Sequence, residues 1–457
     1  MNHEQNSIFD TLDISLEEKQ YRHFADLIDR MNAVDIAEYL GTLSGDRLIT
    51  VFRFLKKDMA ADIFAELDPE TRETIILTTT DSDLGHIVDQ LFIDDAVDLL
   101  EELPAGMVTR ILRATKPETR QLVNKFLSYP EGSAGSVMTA EFIDLKASMT
   151  VVEAVERIRR TGVDKETVYV AYITDSARHL LGIVTLRDLL FADSDSLLND
   201  IMNTSIVMAA TTDDREAVAA TIAKYDLLAL PIVDKENRLV GIVTVDDALD
   251  VIEEEATEDI EKMAAIVPDN RPYLKSNVFS IFKKRIPWLL LLMVSATFTG
   301  QIISGFEEAL SLFPALVAFI PMLMDTGGNS GGQASVTVIR GLALGEIRLR
   351  DIFRIILKEL RVGMLCGIVL CACNIVKILL IDNLLLGNRV SPEQALVVSL
   401  TLFCTVLIAK LVGGTLPLLA KKIGLDPAVM ASPFITTIVD AISLILYFQI
   451  AALLLGF

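Results

Sequence analysis

A carboxylate inside an apolar run is the most informative residue of this 457-residue chain. Asp440 stands about 12 residues into the apolar segment 428 to 456, which as a helix puts it ~18 Å from the segment's start. An aspartate at the centre of a membrane helix costs ~2.5 to 3.5 kcal/mol on insertion scales, so it must face a partner or water. Ser432, Thr436, Asp440, Ser443 and Tyr447 recur at steps of three or four. That spacing predicts one stripe of hydroxyls and a carboxylate on an otherwise apolar helix. A salt bridge to Lys410 is the bland alternative, although a lysine about ten residues from the end of its own apolar segment can also snorkel.

A second group lies in Pro321-Met322-Leu323-Met324-Asp325-Thr326-Gly327-Gly328-Asn329-Ser330-Gly331-Gly332-Gln333. Its glycine pairs make regular helix costly and predict free backbone carbonyls lining a polar cavity. Close packing of small residues would explain the glycines, but not Asp325, Asn329 and Gln333. Oxygen donors without Cys or His suit a hard cation such as Mg²⁺ or Ca²⁺ better than zinc or copper. The four cysteines, Cys366, Cys371, Cys373 and Cys404, lie in apolar stretches without zinc or disulfide spacing, and the four histidines are scattered.

The elements that must hold these groups are membrane spans. Hydropathy gives five: about 286 to 305, 309 to 325 continuing into the Gly-rich segment, 362 to 381, 395 to 420 and 428 to 456. Basic residues fall at Lys283 to Arg285, between spans two and three (Arg340, Arg348, Arg350, Arg354, Lys358, Arg361), and at Lys421 and Lys422. The positive-inside rule then predicts a cytosolic N-terminus and an external C-terminus. The start, Met1-Asn2-His3-Glu4-Gln5, has neither the basic nor the apolar part of a signal peptide, in keeping with that orientation.

Charge divides the chain at the same place. Residues from 286 onward carry 11 Lys+Arg against 10 Asp+Glu, leaving 30 basic and 53 acidic residues before them, so -23 precedes +1. A region this acidic excludes a general nucleic-acid binder and favours a cationic partner. Within it, residues 20 to 130 read as short amphipathic helices stacked in a superhelix. Phe24, Leu27, Ile28 and Met31, then Ile36, Tyr39 and Leu40, mark the apolar face; Asp68-Pro69 and Leu103-Pro104 mark turns; Asp94, Asp95, Asp98, Glu101 and Glu102 mark a polar face.

Residues 136 to 250 are duplicated. Leu181-Gly182-Ile183-Val184-Thr185-Leu186-Arg187-Asp188 matches Val240-Gly241-Ile242-Val243-Thr244-Val245-Asp246-Asp247 at an offset of 59, each copy announced by a Met with a polar neighbour, Met138-Thr139 and Met202-Asn203. This resembles a tandem pair of CBS domains, here 136 to 200 and 201 to 250. An acid-rich helix from Asp246 to Ile266, ~30 Å long, connects the pair to the first span within 246 to 275.

The order of these parts, with Pro321-x-Leu323-Met324-x-x-Gly327-Gly328-Asn329-x-Gly331-x-Gln333 and Leu425-Asp426-Pro427 followed by Pro433 and Asp440, resembles the MgtE-type magnesium channel family. The resemblance covers residues 20 to 457. It implies a multidomain fold: an all-α superhelical N-terminal domain, an α/β tandem CBS domain and an all-α transmembrane domain of five helices over 280 to 457. It also implies a homodimer in the cell (inner) membrane, no enzymatic activity, and a Mg²⁺-selective pore closed by high cytosolic Mg²⁺. The pore site maps to Asp440, with Thr436 and Asn329 beside it; where the family often has Asn before Pro433, this chain has Ser432. The regulatory Mg²⁺ sites map to Asp94, Asp98, Gly135, Glu216, Ala223, Asp226, Asp247, Glu255, Glu258 and Asp259. Thr185 and Asp188 look like the ribose-contacting pattern of nucleotide-binding CBS domains, which makes ATP a modulator.

Other functions compete. Oxygen ligands also permit Co²⁺ or Mn²⁺. No phosphate-binding Gly-x-x-x-x-Gly-Lys-Ser/Thr loop or Asp-Lys-Thr-Gly-Thr motif supports an ATP-driven pump. An anion channel would want basic pore residues in place of Asp440, and a membrane sensor that conducts nothing would be separated by ion flux.

Overall fold

Proline and side-chain caps cut the N-terminal region into short helices. The computed structural model describes residues 2–101, 103–269, 273–274, 276–388, 390–430 and 432–456, with the side chains of 2–7, 57–58, 308–309 and 432 excepted. Among these, ten helices come first: α1 (Asn2–Glu17), α2 (Tyr21–Ile28), α3 (Ala33–Thr42), α4 (Asp46–Phe54), α5 (Lys57–Ala65), α6 (Pro69–Thr78), α7 (Asp81–Val88), α8 (Ile93–Glu101), α9 (Ala105–Ala114) and α10 (Pro117–Phe126). Asp68 caps α6 by accepting the Thr71 N–H at 3.2 Å, with Pro69 in the first turn, where a missing N–H costs nothing. The helical array begins before residue 20, because Leu12 of α1 is fully buried and Tyr39 donates to Asp13. The polar face expected on α8 is partly interior: Asp94 is only 7% exposed. Glu102 lies outside the described residues.

Each repeat forms a small three-stranded sheet. The first holds β1 (Ile143–Lys146), α11 (Val151–Thr161), β2 (Val170–Thr174), β3 (Leu180–Thr185), α12 (Leu186–Phe191) and α13 (Leu198–Ile201). The second holds β4 (Ala209–Ala210), α14 (Arg215–Tyr225), β5 (Ala229–Val233), β6 (Leu239–Thr244) and α15 (Val245–Met263). In both, the first strand runs parallel to the second and the second antiparallel to the third. The repeats interlock. Thr139 bridges to Ile242 in β6, and Asn203 to Ile183 in β3. A Cβ on Gly241 would lie 2.7 Å from the Met138 sulfur, and one on Gly182 2.6 Å from that of Met202, which is why each Gly is paired with a Met that precedes the other copy's strands.

The chain packs as two units, Met1–Ile252 and Glu253–Phe457. In the first, one apolar core runs from Phe24 through Leu100 to Met138, Ile222 and Val243, so the helical array and the second repeat share an interior. In the second, α16 (Val278–Ser304), α17 (Glu307–Leu312), α18 (Ile320–Ala343), α19 (Ile352–Lys377), α20 (Pro392–Lys422) and α21 (Ser432–Leu455) follow one another. Among the described residues, four stretches are long and apolar enough to cross a membrane: Val278–Ser304, Leu349–Leu385, Pro392–Lys422 and Pro427–Leu455. α18 is the fifth long helix, 24 residues or ~36 Å, but with polar residues throughout its length.

Two expectations are corrected here. The Gly-rich segment is regular helix within α18, with no unwound carbonyls, because its glycines are contact points between helices. A Cβ on Gly328 would meet Thr436 at 2.8 Å, and one on Gly331 would meet Ile435 at 2.6 Å. The helix therefore starts at Ile320 and not near 309, where α17 and a 3₁₀ turn, Pro314–Phe319, stand instead. Second, Arg354, Lys358 and Arg361 do not lie in a loop: they occupy the first turns of α19, which continues as a π-helix through Ile378–Leu385.

Candidate ion sites

The helices α18, α20 and α21 form the packed centre of the second unit. Gly413 of α20 makes the closest approach: a Cβ there would lie 2.1 Å from the Gly331 carbonyl oxygen. Asp440 of α21 is half-buried, with Asp325 of α18 near enough for its charge to act on it. Asp325 accepts from the Asn329 amide at 3.0 Å. Asp325, Asn329 and Gln333 follow at four-residue steps and all three are exposed, a polar stripe along α18.

The stripe expected on α21 divides. Ser443 and Tyr447 are buried, Ser443 donating to the Val439 carbonyl at 2.6 Å and Tyr447 to the Leu316 carbonyl at 2.9 Å. Thr436 is half-buried and donates to the Pro433 carbonyl at 3.0 Å, keeping an oxygen lone pair one turn from Asp440. The Ser432 side chain lies outside the described residues. Lys410 is 5% exposed and donates to Gln333 Oε1 at 3.1 Å, so its hydrogen-bond partner is an amide on α18 and not Asp440.

In the first unit, carboxylates from three segments converge. Asp94 and Asp95 start α8, Asp247 starts α15, and Glu166 stands on the loop before β2. Burial, followed by the charges of Asp247, Asp95 and Glu166, holds the Asp94 carboxyl well above the ordinary range. The same causes, burial first and Asp247 second, push Asp95 up to about 6 and Glu166 to about 7. Asp247 is raised by burial despite accepting from Thr244. As they stand, no three His, Cys, Asp or Glu side chains among the described residues are positioned to hold one ion. The donor set is all oxygen, which fits a hydrated Mg²⁺ reached partly through its waters.

The other sequence-derived residues are dispersed. Asp98 is exposed on α8; Gly135 is buried, its N–H donating to the Thr211 carbonyl at 3.0 Å. Glu216 and Ala223 lie on α14 and Asp226 is the residue that caps its C-terminus; Ala223 and Asp226 line a cavity of about 250 Å³ beside α15. Thr185 and Asp188 cap α12 reciprocally, Thr185 donating to Asp188 Oδ2 at 2.6 Å and accepting the Asp188 N–H at 3.1 Å. The Thr-x-x-Asp pattern of both repeats thus has a capping role, whatever else it binds.

Glu255, Glu258 and Asp259 sit on the last turns of α15, within the second unit. Lys262, one turn on, bridges Glu258 at 2.5 Å and Asp426 at 2.6 Å. Burial and then the Asp426 charge push Asp259 up to about 6. Sequence spacing could not single out Glu166, Lys262 or Asp426 as neighbours of these acids; Asp426 alone carried a signal, through Leu425-Asp426-Pro427.

Comparison with known proteins agrees with this layout. Residues 320–450 match the model of the MgtE divalent cation transporter domain, 31–132 that of the MgtE intracellular N domain, and 134–195 and 198–254 that of the CBS domain. A magnesium transporter MgtE of Thermus thermophilus is 36% identical over 97% of this chain and 98% of its own, and one of Bacillus subtilis 32% over 98% of each. The soluble part of a magnesium transporter superposes on 55% of this chain and 99% of its own, with TM-score 0.53 and 31% identity. The cytosolic domain of the Mg²⁺ channel MgtE in complex with ATP does so over 53% and 99%, with TM-score 0.51 and 35% identity.

Proposed function

Because the chain belongs to the MgtE family of divalent cation transporters, we propose that it is a Mg²⁺-selective channel of the cell membrane, gated by cytosolic Mg²⁺. The observation that carries the pore is Asp440 beside the exposed stripe Asp325, Asn329 and Gln333 in a bundle of membrane-length helices. Hydrocarbon cannot solvate such a stripe, so it faces water or a second copy. A homodimer satisfies both, pairing two Asp440 carboxylates across an axis. Their mutual repulsion is offset by one divalent cation held through its waters, with Thr436 and Asn329 supplying neutral oxygens.

Gating rests on the carboxylates of the first unit. Asp94, Asp95, Glu166 and Asp247 repel one another, and Mg²⁺ would hold them together at high concentration. Asp98, Gly135, Glu216, Ala223, Asp226, Glu255, Glu258 and Asp259 complete the proposed regulatory set. ATP, present on a relative's cytosolic domain, would bind at Thr185 and Asp188 as a modulator. The N-terminus is cytosolic and the C-terminus external in this reading, from the basic residues before span one, after span two and after span four.

Flux into liposomes tests the pore. Wild type should carry Mg²⁺, and Asp440→Asn should abolish that flux while the protein still elutes as the same assembly. Normal Mg²⁺ flux through Asp440→Asn would remove the carboxylate from the selectivity site. The same assay with Co²⁺ and Mn²⁺ ranks the ions.

A further inference from the structure

The end of the connecting helix is tied to the pore unit by a lysine, and the ties on either side of it can be followed atom by atom. Lys262 Nζ lies 2.6 Å from Asp426 Oδ2 and 2.5 Å from Glu258 Oε1. Asp426 is fixed in turn, its Oδ1 accepting the Ala428 N–H at 2.8 Å in the turn between α20 and α21. Met263, the next residue of α15, packs on Ala428 and on Ile339 of α18. From the other side, Glu261 accepts the Asp269 N–H at 2.7 Å, and Asp269 pairs at 2.7 Å with Lys284 in the second turn of α16. All of these residues belong to the second unit.

Glu258, Asp259 and Asp426 would repel one another across this contact, and the only cation among the described residues bridging them is Lys262. We propose that Lys262 is a positioning residue: its ammonium is a built-in counter-ion that keeps the last turn of α15 anchored on the α20–α21 turn when no divalent ion is bound. Mg²⁺-linked rearrangement then acts on the segments before this anchor, and the anchor itself is the fixed end of the lever. The Lys262 and Asp426 side chains are 23% and 34% exposed, screened enough from water for the pair to matter and open enough for a divalent ion to replace it.

This inference rests on the gating just proposed for its meaning, but its test does not. In full-length protein with the four native cysteines replaced by alanine, Met263→Cys is labelled with a maleimide in detergent without Mg²⁺. Labelling should be slow when Lys262 is present and about five-fold faster in Lys262→Met, the opening expected when one part-buried pair is lost. Added Mg²⁺ should slow the Lys262→Met protein again, by bridging the bare carboxylates. Lys262→Arg should label as slowly as the parent, and the exchange Lys262→Asp with Asp426→Lys should restore most of the protection. Equal labelling of the parent and Lys262→Met without Mg²⁺, in protein that elutes normally, overturns the anchor. Failure of Mg²⁺ to gate flux in wild type would instead overturn the proposed function and leave the labelling result standing.

Discussion

At the scale of the residue, the pore proposed here makes the distance of Asp440 from the dimer axis matter as much as its charge. Mg²⁺ requires near-octahedral oxygen geometry and gives up its waters reluctantly, so a carboxylate that holds the hydrated ion must stand back from it. Asp440→Glu keeps the charge and extends each side chain by one methylene. It should lower Mg²⁺ flux by on the order of ten-fold, ~1.4 kcal/mol in the barrier, when measured in the same liposomes as wild type. Retention of full flux would mean that charge alone sets the site. Lys410, weighed from sequence only as an alternative partner for Asp440, belongs to this scale too: its amide partner Gln333 lies on the exposed stripe of α18, which ties a buried cation to the polar face.

At the scale of the element, the glycines of α18 set how closely the helices approach. Gly331 and Gly413 touch backbone to backbone, so a methyl at 413 has nowhere to go without parting α18 from α20. Gly413→Ala should destabilise the second unit by ~1 to 3 kcal/mol, the usual cost of overpacking. It would appear as an earlier loss of the monodisperse peak on heating before size-exclusion chromatography. Gly106, with open space around its Cβ position, is the control and should tolerate alanine with only a small change. An unchanged melting profile for Gly413→Ala would show that the two helices have slack.

At the scale of the whole molecule, the negative charge gathers before residue 286, where the proposed gating would act. The raised carboxyls of Asp94, Asp95, Glu166 and Asp247 bind protons more tightly in the folded chain than in the unfolded one. Stability therefore falls as pH rises from the ordinary carboxyl range, about 4, through the folded values of about 6 for Asp95 and about 7 for Glu166. Without Mg²⁺, protease resistance of residues 1–252 in the full chain should be greater at pH 5.5 than at pH 8, measured with a protease active at both values. Mg²⁺ should restore resistance at pH 8 and add little at pH 5.5, since protons and Mg²⁺ neutralise the same groups. Resistance independent of both would count against the carboxylates as the sensor. Orientation has its own test: single cysteines near residue 280, in a chain whose native cysteines are replaced, should resist an impermeant label on intact cells, and external labelling there would reverse the topology.

Sequence alone determined the order of the parts. Periodicity marks helices, the 59-residue offset between Asp188 and Asp247 marks a duplication, and apolar runs mark spans, because each of these signals is local and repeats along the chain. It also isolated Asp440, since a carboxylate in an apolar run needs no neighbour to be conspicuous. Tertiary structure decided which groups meet. Composition made the glycines of α18 look like a break in the helix; only the nearness of Thr436, Ile435 and Gly413 turns them into contact points, where packing outweighs low helix propensity. Asp94 looked solvated by its pattern and is buried, because the core of the helical array continues into the second repeat, which carries Asp247 to it, while Glu166 comes from the first repeat. Lys262 and Asp426 are 164 positions apart, and no local period connects them. Their pairing is set by where the turn between α20 and α21 lies against α15, which chain geometry alone brings about.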